Sequence, residues 1–249
     1  MVRAVRQGGR IVRRHYLSHR LQITEKSSPG DLVSSVDLAV EEQVIRTLAR
    51  RFPHIPVASE ERESPAAGAE AFHLDPLDGT LNFVHGLTPF AVSLGYWRDG
   101  APVAAAVLDP LSGELFTALR GQGARRNGRP IAVSAVGELR RALVAGGWPY
   151  ERAQRSRLLA EMERVYLSCQ ELRTIGCASL ALCRVAAGVF EAFWEFDLRP
   201  WDLAAGVLVV TEAGGRVSSL SGGTFRLEEG EVAATNGRIH DELLACLKG

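Results

Sequence analysis

Two aspartates three residues apart, Asp75 and Asp78, close an apolar run that begins at Phe72, and Gly79 and Thr80 follow them directly. Pro76 restrains the backbone between the two acids. If the chain turns there, both carboxylates converge on a hard cation, and the Leu77 carbonyl can add a third oxygen. Magnesium takes such oxygen ligands in near-octahedral geometry and keeps some of its waters. Gly79 allows the backbone to approach a bound group closely. If Thr80 starts a helix, the amides of Gly79, Thr80 and Leu81 are natural donors to a phosphate. The plainer reading is a tight turn, which Asp, Pro and Gly also build.

Other acids sit where they could join this pair. Glu60 follows a second apolar run, Ile55 to Ala58, 15 residues before Asp75. Adjacent parallel strands would bring both to one sheet edge, where α/β enzymes place their sites. Asp202 lies in Trp201-Asp202-Leu203-Ala204-Ala205-Gly206 at the head of a helical pattern. A helix cap accounts for it, and a metal role requires that this helix end face the other acids. Asp37 stands at the start of another helix, Val36 to Phe52, where a carboxylate meets favourable helix-end electrostatics.

The elements needed to position these residues read as follows. Val40, Val44, Leu48 and Phe52 recur every four residues as one inward stripe, and Pro53 should stop that helix. Strands are expected at 55–58, 72–75, 90–97, 102–108, 114–119, 142–145, 189–194, 217–220 and 231–234. Asp99-Gly100, Ser112-Gly113 and Asn127-Gly128 supply turns. Helices are expected up to about Leu21, then at 151–166, 178–187 and 201–213, with a last one at the C-terminus. The stretch Glu25 to Gly30 reads as a polar turn and Ser64 to Glu70 as a loop. Strands in hairpins, followed by mixed strands and helices, imply stacked layers of sheet and helix. The two halves divide at 1–138 and 139–249 and are expected to pack as one unit.

Composition excludes several classes. Basic and acidic residues balance at 29 each over 249 residues, so net charge indicates neither a nucleic acid nor a membrane partner. No apolar run approaches the length of a spanning helix, and the N-terminus has no apolar signal core. Neither a Walker loop nor a dinucleotide fingerprint occurs. Cys169, Cys177, Cys183 and Cys246 form no zinc spacing and read as reduced, mostly buried thiols of a cytoplasmic protein. The N-terminus is basic: Arg3, Arg6, Arg10, Arg13, Arg14 and Arg20 all precede the first acid, Glu25. A surface helix with Val5, Val12 and Tyr16 or Leu17 inward explains most of this stretch. Targeting or anchoring is the alternative.

The motifs resemble the inositol monophosphatase family. The matching residues are Asp75-Pro76-Leu77-Asp78-Gly79-Thr80-Leu81-Asn82-Phe83 with His85, and Trp201-Asp202-Leu203-Ala204-Ala205-Gly206 followed by Thr211-Glu212-Ala213-Gly214-Gly215. Shorter matches are Lys26-Ser27-Ser28-Pro29, Asp31-Leu32-Val33 with Asp37, Glu60-Glu61, Gly176, and Asn236-Gly237 with His240. The resemblance implies an α/β fold, a layered α-β-α-β-α sandwich of the sugar-phosphatase type. It implies two or three Mg2+ ions held by Glu60, Asp75, the Leu77 carbonyl, Asp78 and Asp202. Asp37, Glu60 and Thr80 would serve catalysis by orienting water. Asp78, Gly79, Thr80, Gly176, Cys177, Ala178 and Glu195 would meet the substrate, a small phosphorylated polyol or sugar. Inositol monophosphate is the expected ester. The alternatives are fructose 1,6-bisphosphate, histidinol phosphate, a nucleotide phosphate, or a non-catalytic interaction protein on the same fold. A homodimer and lithium sensitivity are also implied. Two positions depart from the usual pattern: Ser59 replaces a glycine and Cys177 a threonine.

Overall fold

The computed structural model describes residues 1–18, 22–25, 32–62, 69–149 and 151–248. The matches at Lys26 to Pro29 and Asp31, the residue Arg20, most of the expected turn at 25–30 and residues 64–68 of the expected loop lie outside them.

The first helix, α1 (Val2–His15), turns Ala4, Val5, Gly8, Gly9 and Val12 inward and its arginines outward. Its two glycines are a packing requirement. A Cβ at Gly8 would come within 2.8 Å of Val40 Cγ1, and one at Gly9 within 2.5 Å of Leu108 Cδ2. The helix stops at His15, short of Leu21, because the chain turns at Leu17 with φ of +61°. Tyr16 is the inward residue: its hydroxyl donates to the Gly86 carbonyl at 2.7 Å, while Leu17 is exposed.

Strands β1 (Ile23–Glu25) and β2 (Leu32–Ser34) form a small antiparallel ribbon that periodicity does not reveal. Helix α2 (Ser35–Ala49) follows, closed by a capping box in which Ser34 Oγ accepts from Val36 N–H and Asp37 accepts from Ser34 N–H. Val40, Val44 and Leu48 form the buried stripe, whereas Phe52 lies past the helix end and is partly exposed.

Strands β3 (Val57–Ser59) and β4 (Glu70–Asp78) come next, then the short helix α3 (Thr80–Val84). Strands β5 (Ala91–Arg98), β6 (Ala101–Leu108), β7 (Leu115–Leu119), β8 (Ala124–Arg126) and β9 (Arg129–Pro130) complete a seven-stranded sheet in sequence order. Only its β3–β4 pair is parallel. The remaining elements are β10 (Leu143–Gly146), α4 (Arg155–Ser168), β11 (Glu171–Arg173), α5 (Ala178–Ala186), β12 (Ala192–Glu195), α6 (Pro200–Leu203), α7 (Gly206–Glu212), β13 (Arg216–Ser218), β14 (Val232–Thr235) and α8 (His240–Lys248). Their strands form a second sheet, β11-β10-β12-β14-β13. Strands β8, β9 and β11 escape a sequence reading because they are two or three residues long and largely polar.

Five layers result. Helices α1 and α2 cover one face of the first sheet, α5 and α7 lie between the sheets, and α4 and α8 cover the far face of the second. Each interface holds its own apolar cluster, with Val40, Leu74 and Val92 in the first, Leu182, Leu203 and Val209 in the middle, and Leu158, Trp194 and Leu243 in the last. The α-β-α-β-α expectation is met. The single helix expected over 201–213 is instead two, α6 and α7, interrupted at Ala204–Ala205. There the Trp97 indole donates to the Ala204 carbonyl at 2.9 Å, occupying an acceptor that a continuous helix would use. All four cysteines are free, with Cys177 and Cys183 buried and the other two partly covered.

His240 opens α8 fully buried, with Nδ1 3.0 Å from Thr235 Oγ1 and Nε2 2.9 Å from Ser218 Oγ. Burial lowers its pKa to about 4. The unfolded value lies near 6.5, so below that pH the unfolded chain binds more protons. Stability is therefore full above about pH 6.5 and falls as the pH drops toward 4, by up to about 3 kcal/mol from this residue. We expect His240→Gln to flatten that acid limb in urea titrations. An unchanged slope would mean that His240 is not what titrates.

Candidate active site

Parallel pairing of β3 and β4 sets Ser59 beside Leu74, so the next residue along each strand, Glu60 and Asp75, ends at the same edge. The β4–β5 ladder then slips: Asp75 pairs with Ser93 but Asp78 with Ala91, leaving one extra residue on β4. This bulge at Pro76 re-aims the carboxyl groups. Leu77 N–H donates to Asp75 Oδ1 at 2.9 Å. Gly79 adopts φ of +91°, and a Cβ there would lie 3.0 Å from the Gly176 carbonyl oxygen. Only glycine suits both conditions. Thr80 then begins α3, as its sequence context suggests.

The second half of the chain holds the first half's acid. At the head of α5, Cys177 Sγ, Ala178 N–H and Ser179 N–H donate to Asp78 at 3.1, 3.2 and 2.7 Å. Asn82 Nδ2 ties α3 to the same region through the Ile175 carbonyl at 2.8 Å. Asp202 is buried on α6, where it accepts from Arg199 N–H at 2.7 Å and lines the same cleft as Asp75, close enough for the two carboxyl groups to influence each other. The cap and the approach to the other acids are thus both realised.

Glu60, Asp75, Leu77, Asp78, Gly79, Thr80, Gly176, Cys177, Ala178, Glu195 and Asp202 line one cleft of about 190 Å³. Asp37 does not reach it. Fully buried behind Thr80, Asp37 accepts from Thr80 Oγ1 at 2.9 Å, so its influence on the cleft passes through that hydroxyl. Trp148, Pro149 and Arg155 also line the cleft and were not anticipated. The only local signal for them is Gly146-Gly147 before Trp148. Gly147 has a clear reason to lack a side chain, since its Cβ would fall 1.9 Å from Glu195 Cδ.

Electrostatics follow from this crowding. Asp75 is held well above the usual carboxylate range, first by burial and then by the charges of Glu60, Asp78 and Asp202. Asp202 is pushed up to about 7 by burial and by Asp78, against the Arg199 amide and Asp75. Burial also raises Asp78, against hydrogen bonds from Ser179, Cys177 and Ala178. Glu195 is raised well above its ordinary value by burial, then by Asp202 and Asp78. Asp37 is raised by burial despite donors from Ser34 and Thr80. The Cys177 thiol is driven up by burial and by Asp78, so it stays protonated and donates.

Among the described residues no group of three or more His, Cys, Asp and Glu side chains is placed so that it could hold a metal ion. The donor chemistry nevertheless fits magnesium. The acids are oxygen donors, buried and mutually repelling, and a carbonyl and water suit the remaining positions. Divalent charge would relieve the repulsion that raises Asp75 and Asp202.

The model of the inositol monophosphatase family matches residues 1–248. The chain belongs to the inositol monophosphatase family. An inositol-1-monophosphatase of Mesorhizobium japonicum is 38% identical over 253 residues, covering 100% of this chain and 94% of that protein. The Nus factor SuhB of Escherichia coli K12 is 36% identical over 250 residues, covering 99% and 94%. Among solved structures, the extragenic suppressor protein suhB of Bartonella henselae superposes with a TM-score of 0.95 at 37% identity, covering 100% and 96%. An IMPase/NADP phosphatase complexed with Mg2+ and phosphate gives 0.84 at 25% identity, covering 96% and 90%. Membership of the inositol monophosphatase family supports phosphatase activity. Of the two departures from the family pattern, Cys177 retains a donor to Asp78. Ser59 is fully buried at the end of β3.

Proposed function

We propose that this protein is a magnesium-dependent phosphatase of small phosphate monoesters, most of all myo-inositol monophosphate. The reading rests on one observation: Asp202 from the second half meets Asp75 from the first beside Asp78, in the cleft that Thr80 and Glu195 line. Glu60, Asp75, Asp78, Asp202 and the Leu77 carbonyl would hold two or three Mg2+ ions. When bound, these ions acidify water and offset charge on the phosphoryl and leaving oxygens.

The chain's own residues supply position. Thr80 Oγ1 lies 2.9 Å from Asp37 Oδ1 and 2.8 Å from the Leu77 carbonyl oxygen, and with its one proton directed to Asp37 its oxygen would accept a hydrogen bond from the attacking water. Glu60 sits across from Asp75 to orient the same water. Gly79 and Thr80 present backbone amides to the phosphate, and the bulge at Pro76 fixes the distance from these amides to the acids. Positioning and charge stabilisation carry most of phosphoryl transfer, so no covalent enzyme intermediate is needed. Gly176, Cys177 and Ala178 line the same cleft beside Asp78. The two halves, 1–138 and 139–249, act as one unit because neither contains the whole set of acids. A homodimer, a cytoplasmic location and lithium inhibition complete the proposal. No helix among the described residues is long and apolar enough to cross a membrane.

The test is turnover of myo-inositol 1-phosphate, histidinol phosphate, fructose 1,6-bisphosphate and adenosine bisphosphate, each with magnesium and with a chelator. Inositol phosphate should give the highest kcat/KM, and the chelator should abolish it. Release of phosphate from none of the four would defeat the proposal.

Glu195 has its own expected outcome. It lies at the end of β12 against Gly147, where a polyol hydroxyl would meet it. Glu195→Gln should lower kcat/KM for inositol phosphate by about tenfold, the worth of one buried hydrogen bond left unmade. It should leave nitrophenyl phosphate largely unaffected. An unchanged ratio of the two would assign Glu195 a structural role only.

A further inference from the structure

The arginines of α1 have no part in the cleft. Arg3, Arg6, Arg10 and Arg13 follow one another at steps of three and four residues, with Arg14 alongside, and all five are exposed. None of them makes an ion pair among the described residues. The helix rise places successive members of the row about 4.5–6 Å apart along a line of about 15 Å. At its N-terminal end, Arg3 shares a groove of about 270 Å³ with Arg50 and Arg51. The whole chain is electrically neutral, with 29 basic and 29 acidic residues, so this positive field is local.

We propose that the outer face of α1 binds the phosphodiester backbone of a nucleic acid. Guanidinium groups pair with phosphate oxygens through two parallel hydrogen bonds, and a row of them suits a chain of phosphates better than a single anion. A lipid surface is a poorer match. The helix spends its apolar face, Ala4, Val5 and Val12, on α2 and the first sheet, and has little left to insert. No aromatic residue lies within α1 for base stacking, so recognition is independent of sequence. None of the five arginines lines the cleft, which makes the binding separable from hydrolysis.

The experiment measures fluorescence anisotropy of a labelled 20-nucleotide oligouridine and an oligothymidine of equal length, across 50–200 mM salt. The expected result is binding whose log K falls with log salt at a slope near −3, for four or five engaged phosphates at about −0.7 each. Replacing Arg6 and Arg10 together by Gln should reduce that slope by about 1.4. The Lys counterparts should retain binding, and phosphatase turnover should match the parent in both. Comparable affinity for the RNA and the DNA supports backbone recognition. Absence of binding at 50 mM salt, an unchanged slope in the Gln variant, or association only with phosphatidylserine vesicles in a parallel sedimentation assay would overturn the proposal. Melting temperatures equal to the parent's verify that the variants fold.

Discussion

Asp202→Asn is expected to lower magnesium-dependent turnover by about 10³-fold while leaving the metal-free protein as stable as the parent or more so. The first effect follows from charge. Removing one anionic ligand from a site that stabilises phosphoryl charge by several kcal/mol costs a factor of ten for every 1.36 kcal/mol. The second follows from the burial of Asp202 beside Asp78, which penalises its charge. A carboxyl group buried among other acids must either keep its proton or bear their repulsion, whereas the amide of asparagine carries no charge at all. The pH profile gives a separate signature. With a folded pKa of about 7 against an ordinary value of 3.8, metal-free Asp202 binds more protons folded than unfolded. Its contribution is complete below about pH 4 and is lost as the pH rises toward 7. Metal-free melting temperatures of the parent should therefore fall over that interval, and those of Asp202→Asn should fall less. Normal turnover by the variant in magnesium would remove Asp202 from the site.

Gly95→Ala is expected to reduce turnover by about 10²-fold without touching any acid. Gly95 lies on β5, and a Cβ there would stand 2.7 Å from the Ala204 carbonyl carbon and 2.8 Å from its oxygen. These are backbone atoms, so no rotamer relieves the contact. The segment that joins α6 to α7 must lift from the sheet, taking Asp202 away from Asp75 and stretching the Trp97–Ala204 hydrogen bond. Overpacking of this kind costs about 1–3 kcal/mol of stability, and a displacement of 1 Å at a reacting centre costs on the order of 10²-fold in rate. Thermal melting and steady-state kinetics of one preparation measure both effects. Turnover equal to the parent's would show that this spacing does not govern the site.

What the sequence made legible was local. The Ile55–Ala58 and Phe72–Asp75 runs each end in acids, and that alone indicated that Glu60 and Asp75 share an edge. Gly79-Thr80 announced the start of α3. Asp37 and Thr80 are 43 residues apart, and no periodicity joins them; only the family resemblance did. The break between α6 and α7 was hidden for a related reason. Leu203-Ala204-Ala205-Gly206 is compatible with one helix, and the interruption is imposed by an indole from β5. Glu195 against Gly147, and the rim formed by Trp148 and Arg155, likewise depend on strands brought together from distant parts of the chain. The short strands β8, β9 and β11 took their form from neighbours, because a run of two or three polar residues carries no period.

The grip of α5 on Asp78, together with the late position of α6, bears on the protein's birth at the ribosome. Synthesis delivers Glu60, Asp75 and Asp78 early, but the amides that restrain Asp78 arrive a hundred residues afterwards and Asp202 later still. A nascent chain therefore carries a crowded negative edge long before anything can complete it. On the proposed assignment, a truncated product lacking that final portion is expected to release no phosphate.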